Sequence, residues 1–217
     1  MYRIVNRGDT LEVLIYEDIG GGLFGGVSAK QVVDDIKAAN PQMINVRINS
    51  PGGDVFDGLA IHNYLRDHQA RVEVDIDSLA ASAASLIAMS GDEIRMADNA
   101  LMMIHNAWTV VAGDSHEMER MSELLKQINT QLVKSYAAQT DMDAAEIQGM
   151  MDEETWMDSE TALGFGFVDS VTSDMAIAAS FIRPEYKFRN MPEVLLKKSA
   201  GNEWKSSAEK RKARLKI

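Results

Sequence analysis

The stretch VEVDIDSLAASAASLIAMS, residues 72–90, joins a predicted strand over residues 72–76 to a predicted helix over about residues 81–90. A strand that runs directly into a helix places Ser82 at the junction, flanked by alanines. Backbone N–H groups at the start of a helix favour developing negative charge, so a serine hydroxyl there is suited to nucleophilic chemistry. A tightly packed Ala/Ser helix explains the same residues, so Ser82 alone does not decide the function.

The segments on either side of this stretch alternate between strand and helix patterns. Predicted strands cover residues 10–16, 43–49, 93–96 and 100–105, and predicted helices follow Ser28 and cover about residues 54–68, 114–138 and 144–151. Strands that alternate with helices require crossover connections and predict an α/β fold.

The longest predicted helix has a capping box and an apolar stripe. Asp114 and Glu117 have the spacing of the box, with Asp in place of Ser or Thr. The stripe repeats every three or four residues over Met118, Met121, Leu125, Ile128 and Leu132. This spacing predicts an amphipathic helix whose apolar face contacts the core or another subunit.

Composition indicates an ordinary globular protein of 217 residues with 46% hydrophobic and 25% charged residues. The chain contains no cysteine, which excludes disulfides and thiolate metal sites and suits a reducing compartment. The first residues do not resemble a secretory signal, and the apolar run over residues 79–89 is too short to cross a bilayer. We expect a cytoplasmic protein that does not contact membranes.

Charge is divided unevenly along the chain. Residues 187–217 hold ten Lys or Arg against three Asp or Glu, a charge of +7, so the net charge of −11 leaves −18 on the rest. The acidic body argues against nucleic-acid binding by the core. We expect one domain over residues 1–174 and an extension over residues 175–217 with a basic, solvated tail.

Two further features suit chemistry near Ser82. Gly52-Gly53 follows a strand, where the absence of a Cβ lets a ligand approach the backbone. His105 ends an apolar strand, whereas His62, His68 and His116 lie in helices among polar residues, which indicates surface positions. No metal-ligand spacing such as H-E-x-x-H occurs, so no metal or cofactor is expected.

The order and spacing of four short motifs are more specific than any one of them. They are Asn-Ser-Pro-Gly-Gly at residues 49–53, Ala-Ala-Ser at 80–82, Met-Ile-His at 103–105 and Gly-Phe-Val-Asp at 166–169. Together they resemble the ClpP peptidase family, over about residues 10–173. The resemblance implies a ClpP/crotonase-like fold, a repeated β-β-α spiral with a long protruding handle helix.

The resemblance also implies roles for individual residues. Ser82 matches the nucleophile, His105 the general base, and the N–H groups of Gly53 and Ala83 the oxyanion hole. The third triad position falls on Glu154 where the family usually has Asp, and Asp152 lies two residues earlier as an alternative.

Three departures from the usual family pattern resemble one branch of the family. The family usually has Pro two residues after the histidine, and Ala107 stands there in this chain. The short N-terminal segment and the basic tail depart from the housekeeping subunits as well. In these respects the chain resembles ClpP-like head maturation proteases of phages and prophages.

The implied function is that of a serine endopeptidase acting on polypeptides within a homo-oligomer of stacked rings. The phage-like branch implies a capsid or scaffold protein as substrate, and the housekeeping branch implies an AAA+ ATPase partner. A crotonase-type acyl-CoA enzyme shares the fold but does not need a Ser–His pair. A Ser-Lys signal-peptide peptidase and a catalytically silent assembly protein are the remaining alternatives.

Overall fold

The computed structural model describes residues 1–21, 26–173 and 188–192. Within them the chain forms eight strands, which are β1 (Tyr2–Arg7), β2 (Thr10–Ile15), β3 (Met43–Ser50), β4 (Arg71–Ala81), β5 (Glu93–Ala97), β6 (Leu101–Ile104), β7 (Thr155–Asp158) and β8 (Ser170–Thr172). The helices of the same residues are α1 (Ala29–Ala39), α2 (Val55–Arg66), α3 (Ala83–Ala88), α4 (Ser115–Thr140), α5 (Ala144–Glu153) and α6 (Ser159–Gly164).

One mixed sheet organises these elements. Strands β2, β3, β4, β5 and β8 are parallel neighbours in that order, and β1 pairs antiparallel with β2 at one edge. β6 pairs parallel with the end of β4, and β7 pairs antiparallel with β6. The expected mixed α/β fold is confirmed.

Strand β4 changes neighbours along its length. Its first half pairs with β5 through residues 73–76, and its second half pairs with β6 through residues 79–81. The register with β3 shifts between Ile48 and Ser50, where β4 contributes more residues than β3. Such irregularities bend a strand and redirect its end. As a result, the last residues of β4 lie beside β6, and Ser82 follows them directly.

The two faces of the sheet differ in chemistry. Alternate residues of β3 and β4, such as Val46 and Ile76, are fully buried in the core beneath the helices. The opposite face carries charged side chains in ion pairs. Arg47 donates from Nε and Nη2 to both carboxylate oxygens of Asp77, at 2.9 and 2.6 Å, and Tyr16 donates its hydroxyl to the same carboxylate. The side chain of Asp77 is completely buried, so these partners offset the cost of burying its charge.

Helix α4 is buried along only part of its length. It has 26 residues, a length of about 39 Å at 1.5 Å per residue. The predicted capping box is present at Asp114 and Glu117. Ile128 and Leu132 of the apolar stripe are buried, whereas Met118 is 51% exposed. The N-terminal half of the helix therefore lies outside the core of this chain. Among the described residues, no helix is both long enough and apolar enough to cross a membrane.

The structure corrects several sequence-based expectations. Strands β1, β7 and β8 and helix α6 were not predicted, β4 is longer than expected, and α3 is shorter. His62, expected at the surface, is 2% exposed, and its Nδ1 lies 2.9 Å from the Leu86 carbonyl oxygen. Burial lowers the pKa of His62. Residues 174–187 and 193–217, which include most of the predicted extension and tail, lie outside the described residues.

Removing the buried carboxylate of Asp77 should destabilise the fold. We expect Asp77→Ala to lower the free energy of unfolding by about 3 kcal/mol, because Arg47 is left on the sheet without its bidentate partner. The matched control is Asp67→Ala, which removes an exposed carboxylate paired with Arg66 at 3.1 Å and should have only a small effect. Urea unfolding measures both, and equal effects would contradict the role given to the Asp77 pair.

Candidate active site

Ser82 and His105 meet because two parallel strands end side by side. β4 and β6 pair through Ala81 and Met103, and the N–H of Ser82 donates to the Met103 carbonyl oxygen at 2.9 Å. His105 follows β6 directly, as Ser82 follows β4. Ser82 Oγ lies 2.8 Å from His105 Nε2, a distance that suits a hydroxyl and a general base.

The backbone of Ser82 is held in an uncommon conformation. Its φ of 56° and ψ of −126° lie where residues other than glycine are rarely found. The Ser82 carbonyl oxygen accepts from the N–H groups of Ser85 and Leu86 at 3.0 and 3.3 Å, so bonds on both sides of the residue fix this geometry. Strained backbone of this kind is concentrated at functional sites, where it aims a side chain.

Ser85, the other serine of this helix, is part of the packing. Its Oγ lies 2.7 Å from the Ser82 carbonyl oxygen and 2.9 Å from Oη of Tyr136, and it is fully buried. Burial raises the pKa of Tyr136 well above the ordinary value, and the hydrogen bond with Ser85 offsets only part of this rise. Both hydroxyls are therefore neutral groups that connect α3 to α4.

The loop after β3 lies against the backbone of Ser82. Gly52 has a φ of 95°, and a Cβ at this position would lie 2.6 Å from the Ala81 carbonyl oxygen and 2.7 Å from Ser82 Cβ. The loop is held by Ile19, whose N–H donates to the Gly52 carbonyl oxygen at 2.9 Å and whose carbonyl accepts from Asp54 at 2.8 Å.

Two N–H groups beside Ser82 are available for a ligand oxygen. The hydrogen bonds between the loop and Ile19 use the Gly52 carbonyl oxygen and the Asp54 N–H, and they do not use the N–H of Gly53. Ala83 is the first residue of α3, and the first N–H groups of a helix have no acceptor within the helix. The loop that carries Gly53 and the start of α3 are neighbours, since a Cβ on Gly52 would lie 2.9 Å from the backbone nitrogen of Ala83.

Glu154 and His105 lie at the same end of the ladder between β6 and β7. The last pair of this ladder is Ile104 with Thr155, so His105 directly follows β6 and Glu154 directly precedes β7. Glu154 is 4% exposed and caps α5 in the left-handed conformation, with a φ of 54°. Glycine or asparagine usually occupies such a cap, so a glutamate there incurs a conformational cost that packing alone does not explain.

Asp152 occupies different surroundings from Glu154. It is exposed, and its Oδ1 accepts from Asn106 Nδ2 at 2.7 Å and from Gln148 Nε2 at 2.8 Å. These bonds connect the residue after His105 to the last turn of α5. Asn106 and Gln148 were not expected from sequence, because nothing in their local patterns distinguishes them from surface residues.

The arrangement is chemically suited to acyl transfer. A half-buried hydroxyl contacts an imidazole, the N–H of Ala83 follows the hydroxyl residue directly, and a buried carboxylate precedes the strand that pairs with β6. This set can activate a nucleophile, stabilise an oxyanion and orient the base. Among the described residues, no group of three or more His, Asp or Glu side chains is placed to hold a metal ion.

Comparison with known proteins gives consistent results. The family model described as Clp protease matches residues 13–175. The chain is 32% identical over 139 residues to an ATP-dependent Clp protease proteolytic subunit of Deinococcus radiodurans, covering 63% of this chain and 68% of the relative. A subunit of the same description from Leuconostoc citreum is 32% identical over 141 residues, covering 63% and 70%.

More distant similarities agree with these. Proteolytic subunit 1 of Salinibacter ruber is 27% identical over 135 residues, covering 61% of this chain and 58% of the relative. A solved structure of a ClpP1 mutant from Listeria monocytogenes superposes with a TM-score of 0.65 at 24% identity, covering 75% of this chain and 91% of the other. This structural match supports the fold.

Substitution of Ser82, which precedes α3, and of Ser85, which lies within it, should have different effects on activity and stability. Ser82→Ala should reduce hydrolysis of a small activated ester to the limit of detection while leaving the fold intact. Ser85→Ala should retain activity but lower the free energy of unfolding by about 1–3 kcal/mol, because the buried Tyr136 hydroxyl loses its partner. Ester kinetics and urea unfolding separate the two, and the reverse pattern of activity would contradict the assignment.

Gly52 should be intolerant of any side chain. Gly52→Ala must displace either the loop or Ser82, and a displacement of about 1 Å at a reacting group can reduce the rate roughly a hundredfold. The matched control is Gly149→Ala on α5, where an added Cβ would meet nothing within 4 Å. Ester hydrolysis measured on both variants tests this contact. Similar activity in the two would show that Gly52 does not position Ser82.

Proposed function

The chain belongs to the Clp protease family and is a serine-type endopeptidase, and from this premise we propose that Ser82, His105 and Glu154 form its catalytic triad. The observation that carries the proposal is the 2.8 Å contact between Ser82 Oγ and His105 Nε2. The strained backbone of Ser82 supports it, because the surrounding hydrogen bonds hold the hydroxyl toward the imidazole.

The proposed reaction passes through an acyl-enzyme. Ser82 Oγ attacks the scissile carbonyl carbon while His105 Nε2 takes the hydroxyl proton, and the N–H groups of Gly53 and Ala83 bind the oxyanion. Collapse of the resulting tetrahedral intermediate breaks the C–N bond and releases the amine, which takes the proton from His105. Water then attacks the acyl-serine with His105 again as base, which frees the carboxylic acid and restores Ser82.

Glu154 is the carboxylate we assign to the third position. Its burial and its position next to Thr155, which pairs with the residue before His105, support this role, since a buried carboxylate that contacts an imidazole fixes the tautomer and stabilises the imidazolium. Asp152 is exposed and accepts hydrogen bonds from Asn106 and Gln148. Those bonds suit a structural role at the end of α5.

Neutral amide variants distinguish the two carboxylates. Glu154→Gln should lower kcat for a fluorogenic peptide by about 10³- to 10⁴-fold, as loss of the orienting carboxylate does in a Ser-His-Asp triad. Asp152→Asn should remain within about threefold of wild type, because the amide oxygen can still accept from Asn106 and Gln148. If Asp152→Asn inactivates the enzyme and Glu154→Gln does not, the carboxylate assignment is wrong by two residues.

We propose that copies of this chain assemble through the segment that includes the outer half of α4. Large apolar side chains are exposed there and in the residues before the helix, with Trp108 66%, Val110 87%, Met118 51% and Leu124 42% exposed. Several large apolar side chains exposed along one segment of the chain favour an interaction surface there. A peptidase enclosed by its own copies also avoids indiscriminate cleavage, which fits the stacked rings expected from the resemblance.

Light scattering at micromolar concentration should detect an oligomer many times the 24.0 kDa of one chain. Leu124→Glu should shift the population toward smaller species, because it places a charge on the exposed part of α4. The matched control is Leu163→Glu on α6, where the leucine is 39% exposed, and it should leave the oligomer intact. A fully active wild-type monomer would rule out assembly as a requirement.

The narrower role in phage head maturation stays a prediction, as does the alternative of a partnership with an AAA+ ATPase. The first predicts cleavage of a capsid or scaffold protein by this chain without nucleotide. The second predicts that degradation of a folded protein depends on ATP and the partner.

A further inference from the structure

The carboxylate of Glu154 has a hydrogen-bond donor two residues along the chain. Nε1 of Trp156 donates to Glu154 Oε1 at 3.3 Å. An indole N–H is a donor only, and a buried carboxylate requires donors to offset the loss of hydration. A phenylalanine or leucine at position 156 could pack in the same place but could not make this bond.

The strand register fixes where the indole lies. Trp156 is paired with Met103 on β6, and Met103 precedes His105 by two residues. Residues two apart on a strand share a face, and paired residues on antiparallel strands point to the same side. Trp156 is therefore anchored in the ladder that joins β6 to β7, two residues along the chain from Glu154.

The length of the glutamate side chain explains why a donor is useful here. Glutamate has one more rotatable bond than the aspartate that usually occupies this position in the family, so more conformational freedom must be restricted to hold its carboxylate still. The indole occupies one carboxylate oxygen, Oε1, from a fixed position on β7. This bond restrains the carboxylate at one of its two oxygens.

We propose that Trp156 is a positioning residue that restrains Glu154 so that the carboxylate can orient His105. The inference rests on the triad proposed above, since Trp156 acts on the reaction only through Glu154. Its effect should therefore appear in kcat and not in KM, and it should disappear when Glu154 no longer carries a charge.

A double-mutant cycle on the full-length chain tests this coupling. Trp156→Phe keeps an aromatic ring and removes the donor, and it should lower kcat for a fluorogenic peptide about tenfold, the effect of losing one hydrogen bond to a charged group. KM should stay within about twofold, as expected for an interaction that matters in the transition state. Combined with Glu154→Gln, Trp156→Phe should have no further effect.

Two controls separate this result from a general loss of packing. Tyr2→Phe removes a donor from another carboxylate, the 2.9 Å bond between Tyr2 and Asp35, and should leave kcat unchanged. If Trp156→Phe folds poorly, benzothienylalanine at position 156 retains the bicyclic ring and replaces the N–H by sulfur. It should give the same tenfold loss.

The outcomes distinguish failure of the proposed triad from failure of the positioning role of Trp156. If Glu154→Gln is as active as wild type, the proposed triad fails. If Glu154→Gln is impaired but Trp156→Phe has wild-type kcat, or lowers kcat by the same factor in both backgrounds, the triad stands and the positioning role of Trp156 is wrong.

Discussion

The parallel pairing of the end of β4 with β6 is the constraint on which the active site depends. β4 leaves β5 after residue 76 and continues beside β6, so the residues that follow the two strands emerge together. Functional groups in α/β proteins often lie at the carboxyl ends of parallel strands for this reason. Here it brings the Ser82 hydroxyl within 2.8 Å of the His105 imidazole, although 23 residues separate them. β7 returns antiparallel from the same end, which brings Glu154 to the site.

Residues around this junction adopt backbone conformations that are energetically unfavourable for most residues. Ser82 and Glu154 both have positive φ, and Gly52 approaches Ser82 so closely that no side chain fits. Such positions cost on the order of 1–3 kcal/mol each and persist only where the surrounding structure determines them. Backbone hydrogen bonds supply that determination, from the Ser82 N–H to the Met103 carbonyl oxygen and from the Glu154 N–H to the Met151 carbonyl oxygen.

Sequence reasoning predicted the α/β class, most strands and helices, and the family, because apolar periodicity and motif order are properties of the chain itself. It missed β7, because four residues reading TWMD have no clear alternation, and pairing with β6 decides their conformation. It placed His62 at the surface because its neighbours in sequence are polar, whereas packing of α2 against α3 buries it. It assigned the third triad position to Glu154 and kept Asp152 as an alternative, since the burial of Glu154 and the hydrogen bonds of Asp152 come from tertiary packing and cannot be read locally.

In the proposed mechanism the junction of β4 and α3 makes one hydroxyl, that of Ser82, a nucleophile. Mass mapping of the wild-type chain after reaction with a fluorophosphonate tests this most directly, because the reagent bonds covalently to an activated serine. We expect a single adduct per chain, on Ser82, formed at a rate that falls sharply in His105→Ala. An adduct on Ser85 or another serine, or labelling of Ser82 that does not depend on His105, would contradict it.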